Sequence, residues 1–116
     1  MQRQFRLTRS TDFKRVRRFG KSYAHPLMVL IVSEGEDSQT RIGVAAGRSV
    51  GGAVRRNRAK RLLREAVRPL IPLIITGKDL LLIARFPLPD AKMQTVRTTL
   101  ESLLQRAELL NQNHEA

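Results

Sequence analysis

The sequence predicts a single α+β domain, because its length, its hydrophobic pattern and the order of its segments all favour that class. The chain has 116 residues, which suit one domain. Short apolar runs of strand length alternate with segments whose apolar residues recur at helical spacing. Hydrophobic residues make up 41% of the chain, enough for a packed core, whereas aromatic residues make up only 4%. Aliphatic side chains must therefore fill most of that core.

The N-terminal part of the chain predicts a short helix over 11–19. Ser10 and Thr11 offer a hydroxyl for an N-cap, and Asp12 places a carboxylate in the first turn, where we expect it to cap the helix. Gly20 then supplies a stop signal. These start and stop signals bracket about two and a half helical turns.

Two strands are predicted next, separated by a loop. Residues 27–32 form a continuous apolar run, which is typical of a buried strand. Residues 34–39 are acidic and rich in turn formers, so we expect a loop there. Residues 41–46 predict the second strand, and its glycine and alanines indicate that another element packs closely above it.

A long helix and a third strand follow. The helix should cover about 53–68, where Pro69 ends it, and the apolar residues 70–76 predict a short helical turn. Residues 79–84 are apolar enough for a strand in the middle of the sheet.

The C-terminal part predicts a last helix that Asp90 can cap. Its apolar residues form a stripe with alternating spacings of three and four: Met93, Val96, Leu100, Leu103, Ala107 and Leu110. Such a stripe could form a coiled-coil dimer, but a single short stripe more often packs on the sheet of its own domain.

The charge of the chain points to a polyanionic partner. The net charge is +12, which is high for so small a domain. Residues 1–33 hold eight basic residues against Asp12, and residues 41–68 hold nine against Glu65, whereas beyond residue 68 the charges cancel. The positive surface therefore belongs to two segments, and nucleic acid is the commonest partner for such a surface.

Other compositional features narrow the class of protein. The chain has no cysteine, which excludes disulfides and thiolate metal sites. No apolar run approaches the roughly 20 residues of a membrane-spanning helix. The basic N-terminus lacks an apolar segment after its charges, so it does not resemble a secretory signal. We therefore expect a soluble cytoplasmic protein without a membrane partner.

The predicted helix 53–68 separates into an apolar face and a cationic face at 100° per residue. The apolar face holds Ala59, Leu62, Leu63, Ala66 and Val67, and the opposite face holds Asn57, Lys60, Arg61, Arg64 and Arg68, with Arg55, Arg56 and Arg58 around the first turn. A solvated helix face usually alternates its charges, but only Glu65 offers a partner here. This pattern favours polyanion binding.

The excess of arginine over lysine favours RNA among the polyanions. Planar guanidinium groups bind phosphate with two hydrogen bonds and stack on exposed bases, which ammonium groups cannot do. Asn57 interrupts the cationic run. It could contact a base or a 2′-hydroxyl, or it could cap backbone groups in the first turn.

These residues resemble the protein component of bacterial ribonuclease P. The motif that carries the resemblance is Ala53-Val54-x-Arg56-Asn57-Arg58-x-Lys60-Arg61-x-x-Arg64-Glu65. Flanking segments match in order and spacing over roughly residues 5–110: Thr11-Asp12-Phe13-x-x-Val16, Arg41-Ile42-Gly43-Val44 and Asp79-x-x-x-Ile83-Ala84-Arg85.

The resemblance implies a fold and two RNA-binding surfaces. The fold is a mostly antiparallel sheet with packed helices, similar to the second domain of a small-subunit ribosomal protein and with a left-handed βαβ crossover. One surface would bind the catalytic RNA subunit through Arg48, Arg55, Arg56, Asn57, Arg58, Lys60, Arg61, Arg64 and Arg68. A cleft between the first helix and the sheet would hold the 5′ leader of precursor tRNA through Phe13, Arg17, Ile31 and Arg85.

The chain departs from the family pattern at three positions in or beside these surfaces. Arg17 stands where family members often carry a second aromatic residue, and Ile31 stands where some carry a tyrosine. The cleft should therefore depend more on phosphate contacts than on stacking. Ser49 stands where a second lysine is common. Phe13 matches a family aromatic that could stack on a base, although a role as a core residue anchoring its helix is equally compatible with the sequence.

The resemblance also implies that the RNA subunit performs the chemistry. The chain has few histidines and no close carboxylate constellation, whereas a nuclease acting alone needs carboxylates to hold metal ions. We therefore expect no catalytic or metal-binding residue in this chain, and Mg²⁺ held mainly by the RNA. A ribosomal RNA-binding protein would not explain the extended motif, and the order of elements is not that of a helix-turn-helix DNA-binding protein.

Overall fold

A four-stranded sheet separates one helix from two others in the computed structural model, which describes residues 5–35 and 38–111. The helices and strands are α1 (Ser10–Phe19), β1 (Lys21–Ala24), β2 (Met28–Glu34), β3 (Arg41–Ala45), α2 (Ala53–Val67), β4 (Lys78–Ala84) and α3 (Met93–Arg106). Short 3₁₀ helices lie at Arg48–Val50, Arg68–Leu73 and Leu88–Asp90. None of the helices in these ranges is long and apolar enough to cross a membrane.

The strands lie in the order β1-β2-β4-β3. β2 pairs antiparallel with β1 on one side and with β4 on the other. β3 and β4 run parallel and are joined through α2. The predicted α+β class with a mostly antiparallel sheet is therefore confirmed. The left-handed sense of the β3–α2–β4 crossover stays a prediction.

Alternating side chains divide the core between the two faces of the sheet. In β4, Leu81 belongs to a small cluster beneath α1, together with Val16 and Ile31. Leu80 and Leu82 belong to the larger cluster formed with α2 and α3. The period of two along a strand thus lets one continuous apolar run serve both faces. In residues 5–35 and 38–111, α1 is the only helix on its face, next to sheet surface that it does not fully cover.

The predicted elements are present with small shifts at their ends. The structure has one further strand, β1, which was not predicted because it has only four residues and its side chains are mostly exposed. It has no apolar run or alternation, and it forms because its backbone pairs with β2 from Lys21↔Val32 to Ala24↔Val29.

Two helix caps were predicted wrongly. α1 begins one residue earlier than expected, with Arg9 at its N-cap and no side-chain cap. α3 has Lys92 at its N-cap, again without a side-chain cap. Asp12 and Asp90, the residues expected to cap these helices, instead form ion pairs with arginines.

The apolar stripe of α3 packs inside the domain. Val96, Leu100 and Leu103 are each no more than 1% exposed and belong to the larger core cluster, which α2 also lines. The prediction that this stripe packs within its own domain is confirmed, and most of the stripe is therefore unavailable to a coiled-coil partner.

The close approach predicted above the second strand occurs at Gly43. A Cβ atom at this position would lie 2.8 Å from Cε1 and Cζ of Phe13. A Cβ atom does not approach another carbon atom that closely in proteins, so the aromatic ring of α1 can rest on β3 only because residue 43 is glycine.

A network of ion pairs fixes α1 to the sheet. Asp79 in β4 is fully buried, and its carboxylate accepts hydrogen bonds from Arg15 of α1 and from Arg41 of β3, the latter at 3.1 Å. Asp12 joins the same network through Arg15 at 3.3 Å and Arg41 at 3.7 Å. One helix and two strands thus share a set of paired charges.

The same network sets the charge of Asp12. Burial raises the pKa of its carboxyl, but the hydrogen bond from Arg15 and the positive charges of Arg9 and Arg41 outweigh burial, so the pKa lies below its ordinary value. Because the pKa is lowered in the folded state, the stabilisation from charged Asp12 is present above the ordinary carboxyl pKa. It is lost only as the pH falls through the lowered value.

Replacing Asp79 should destabilise the fold strongly. Asp79→Asn removes the fully buried carboxylate that Arg15 and Arg41 share, and we expect the free energy of unfolding to fall by about 3–5 kcal/mol. Urea denaturation at neutral pH would measure the loss. The matched control is Glu34→Gln, which breaks the ion pair of the exposed Glu34 with Lys78 and should cost at most about 1 kcal/mol. Equal losses in both variants would contradict the importance of the buried pair.

Candidate nucleic-acid interface

The cationic face of α2 lies at the protein surface as the sequence predicted. Asn57, Arg58, Arg61 and Arg68 are exposed, and Arg48 is exposed in the 3₁₀ helix before α2. The remaining cations of the face, Arg56, Lys60 and Arg64, are half-buried and follow one another at four-residue spacing. They therefore form one line along the helix.

Most of these cations have no acidic partner. Arg68 pairs with Glu65 at 2.6 Å, and Arg55 pairs with Asp90. Within residues 5–35 and 38–111 the other arginines and the lysine of α2 make no salt bridge. Repulsion between like charges one turn apart therefore remains unrelieved in the free protein, and a bound polyanion would relieve it.

Two guanidinium groups in this line carry unused donors. The Nε atoms of Arg56 and Arg64 are buried and have no hydrogen-bond partner among the described residues. A buried N–H of a charged group that lacks a partner is costly. An anion that reached these arginines would supply the missing acceptors.

Arg64 opens onto a small pocket of about 210 Å³, which α1, α2, β3 and the N-terminal segment line together. Arg6, Thr8, Phe13 and Gly43 also form its wall. The N-terminal segment is held there because the Leu7 N–H donates to the carbonyl of Ile42 at 2.9 Å. The pocket combines two guanidinium groups, a hydroxyl and an aromatic ring.

The electrostatics of this pocket favour an anion. Burial lowers the pKa of Arg64, and the nearby charge of Arg6 lowers it further. An arginine keeps its charge under such conditions, so the shift reflects an unfavourable setting for two cations. Phosphate oxygens would compensate both charges. Arg6 was not among the predicted site residues, because only the pairing of the N-terminal segment with β3 brings it to α2.

Arg55 is engaged inside the protein, unlike the other predicted residues of α2. Its Nε donates to the carbonyl of Val50 at 2.8 Å, its Nη2 to the carbonyl of Phe86 at 2.7 Å, and its Nη1 to Asp90 at 3.1 Å. Gly51, at φ 132°, makes room, since a Cβ there would lie 2.8 Å from Cδ of Arg55. Arg55 thus connects α2 to the segment after β4 and does not extend the cationic row.

The predicted leader cleft lies beside α1. Phe13 is half-buried, and Arg17 is exposed one turn later on the same side of the helix. Val29, Ile83 and Ala45 are half-buried neighbours in one row across the sheet, and they form an open apolar strip next to α1. Arg85 is exposed just beyond Ile83.

Ile31 does not line the open part of the cleft. It is only 6% exposed, because it packs under α1, where a Cβ added to Gly20 would lie 2.6 Å from its Cγ2 atom. The sequence placed Ile31 in the cleft from its match to a family position. The structure assigns it to the core and places the neighbouring Val29 and Ile83 at the cleft floor instead.

The acidic residues offer no ready metal site. In the described residues, no three histidine, aspartate or glutamate side chains are grouped so that they could hold a metal ion. The two buried carboxylates, Asp12 and Asp79, are already paired with arginines, so they do not fit a Mg²⁺ site.

Comparisons with known proteins agree with this geometry. The family model described as ribonuclease P matches residues 1–108. A curated relative from Chloroflexus aurantiacus, named ribonuclease P protein component, is 40% identical over 111 residues, which cover 95% of this chain and 82% of the relative. A relative of the same name from Clostridioides difficile is 32% identical, covering 89% of this chain and 91% of its own length.

Solved structures show the same fold. The ribonuclease P protein of Staphylococcus aureus matches with a TM-score of 0.81 and 30% identity, covering 92% of this chain and 98% of that one. The protein from Thermotoga maritima matches with a TM-score of 0.77 and 32% identity, covering 87% and 96%. Sequence, fold and basic surface together show that this chain belongs to the family of ribonuclease P protein components.

Proposed function

We propose that the protein binds the ribonuclease P RNA through α2 and the 5′ leader of precursor tRNA through the cleft beside α1. The observation that carries this proposal is the pocket shared by Arg64 and Phe13. It joins the cationic line of α2 to the aromatic residue of the cleft, so the two surfaces form one continuous basic path. A single-stranded RNA in the cleft would reach the catalytic RNA on α2 without crossing a neutral gap.

The two surfaces suit different RNA structures. The exposed arginines of α2 suit the phosphates of a folded RNA, which are contacted without regard to sequence. The cleft offers an apolar strip and one aromatic ring between Arg17 and Arg85, as expected for a single strand that is held by backbone charge and stacking. The protein would thus distinguish precursor from mature tRNA by its leader.

The hydrolysis itself would fall to the RNA subunit. Mg²⁺ bound mainly by the RNA would supply the nucleophile and stabilise the leaving oxygen at the 5′ phosphodiester. The protein would reduce repulsion between the two RNAs, and this proposal places the holoenzyme in the cytoplasm. The net charge of +12 on the protein supports this reduction of repulsion, because it offsets part of the negative charge of the two RNAs.

Reconstitution tests the proposal as a whole. Cleavage of precursor tRNA at low Mg²⁺ should require this protein together with a bacterial ribonuclease P RNA, with little activity from either alone. The rate of cleavage would be measured from the amount of 5′ leader product on a gel. Cleavage by the protein alone, or no stimulation of a cognate RNA, would contradict the proposal.

Removing the cationic line should weaken binding to the ribonuclease P RNA and reduce its salt dependence. For the variant carrying Arg56→Ala, Lys60→Ala and Arg64→Ala, the plot of log K against log salt should become less steep by about 0.9 for each lost phosphate contact, the value for duplex nucleic acid. Fluorescence anisotropy over a salt series would measure the slope.

The matched control for this experiment is Arg55→Ala, which also removes a positive charge from α2. Because Arg55 is engaged internally, this variant should keep the salt slope but lose about 1–2 kcal/mol of unfolding free energy, since its guanidinium is one-third exposed. If Arg55→Ala reduced the slope by as much per removed charge as the triple variant does, total charge would matter rather than the cationic line.

Phe13 should contribute to leader binding beyond its packing on Gly43. Phe13→Leu keeps an apolar side chain over β3 but removes the aromatic ring. In the holoenzyme we expect about tenfold weaker affinity for precursor tRNA, corresponding to one lost base stack, and unchanged affinity for mature tRNA. Equal losses for both substrates, or a lowered melting temperature alone, would assign Phe13 to the core only.

A further inference from the structure

We propose that Phe86 forms a second stacking platform, which takes one unpaired base of the leader into a pocket at the end of the cleft. This inference rests on the proposed function and adds a binding site to it. The ring of Phe86 is 59% exposed, although large apolar side chains are usually buried. It lies immediately after Arg85, which the resemblance predicts to line the cleft.

Arg55 holds this ring in a fixed position. The guanidinium carbon of Arg55 lies 4.7 Å from the ring centroid, and its Nη2 donates to the backbone carbonyl of the same residue. Val50 and Asp90 fix the guanidinium in turn. One face of the ring is thus occupied by a cation. A base stacking on the remaining surface would meet a ring that is already oriented, which reduces the entropic cost of binding.

The pocket beside Phe86 has the size of a small-molecule site. Its volume is about 670 Å³, and its wall includes His25, Pro26, Ser49 and Arg85. Specific ligand sites in proteins commonly measure roughly 300–1,000 Å³. Its floor includes Ile83, which also belongs to the apolar strip of the cleft. A strand that follows the strip therefore leads directly into this pocket.

The polar groups of the pocket suit a nucleotide. Nδ1 of His25 accepts the backbone N–H of Leu27 at 3.0 Å, so the neutral imidazole carries its proton on Nε2 as a donor. Arg85 supplies a positive charge for a phosphate, and none of the described residues that line the pocket is acidic. An aromatic ring with an adjacent cation is the usual combination for holding an unpaired base with little sequence preference.

The position of Phe86 also fits the departure of this chain at Arg17. The cleft has one aromatic residue, Phe13, where two would be expected by resemblance. Phe86 supplies a second ring just beyond the end of β4, three residues after Ile83, the middle residue of the apolar strip. The rings of Phe13 and Phe86, with the cations Arg17 and Arg85 nearby, would hold an extended RNA strand at two separate bases.

Fluorescent precursor tRNAs provide the test. Each substrate carries 2-aminopurine at one leader position, and its emission is read in a stopped-flow mixer with holoenzyme reconstituted on a bacterial ribonuclease P RNA. The wild-type protein should quench the probe at one position through Phe86 and at another through Phe13. Phe86→Leu should abolish only the first quench and weaken precursor affinity about fivefold to a hundredfold, with mature tRNA unaffected. Phe86→Tyr keeps an aromatic ring, so it should retain both this quench and the wild-type affinity for precursor tRNA.

A matched control distinguishes stacking in the pocket from loss of any exposed aromatic residue. Phe19 is 71% exposed and lies under the guanidinium of Arg18 at 5.3 Å, but it stands one turn after Arg15, on the side of α1 opposite to the cleft. Phe19→Leu should therefore change neither quench nor affinity. Quenching retained at every position in Phe86→Leu would overturn the inference alone. Equal affinity of the wild-type holoenzyme for precursor and mature tRNA would overturn the proposed leader binding as well.

Discussion

The buried ion pairs of Asp79 with Arg15 and Arg41 are the interaction on which the rest of the surface depends. They fix α1 across β3 and β4, although the apolar cluster beneath this helix is small. The position of α1 decides where Phe13 rests, how far the neighbouring strip of the sheet stays open, and that a pocket forms at Arg64. A charged network in the core thus shapes a cleft that hydrophobic packing alone would specify weakly.

α2 serves as scaffold and surface at once. Ala59, Leu63 and Ala66 bury one side against the larger core, which anchors the helix despite its crowded positive charges. The stability of α2 thus comes from packing, while its charges remain uncompensated for a partner. Arg55 is the exception, because its donors hold the segment that follows β4. A row of similar residues therefore divides into one arginine that is bonded inside the protein and a set of cations without an acidic partner among the described residues of α2.

Much of this could be predicted from the sequence. Apolar runs located β2, β3 and β4, and the two faces of α2 followed from its periodicity, because each of these signals is local. β1 escaped prediction because its pairing with β2, not its own composition, makes it a strand. The pairing of Arg55 with Asp90, the pairing of Asp12 with Arg41, and the arrival of Arg6 beside Arg64 depend on partners far away in the chain. Such contacts leave no local pattern to detect.

The two edges of the sheet bear on how this chain behaves when concentrated. Open strand edges invite pairing with other chains and lead to aggregation. Here the edge of β3 is partly covered by the N-terminal segment. Arg6 forms an isolated β-bridge with Ile42, and the Leu7 N–H donates to the Ile42 carbonyl. The other edge, β1, has only four residues and begins with the exposed Lys21. Both edges are therefore poor templates for a second copy, which favours a protein that stays dispersed while its basic faces remain accessible.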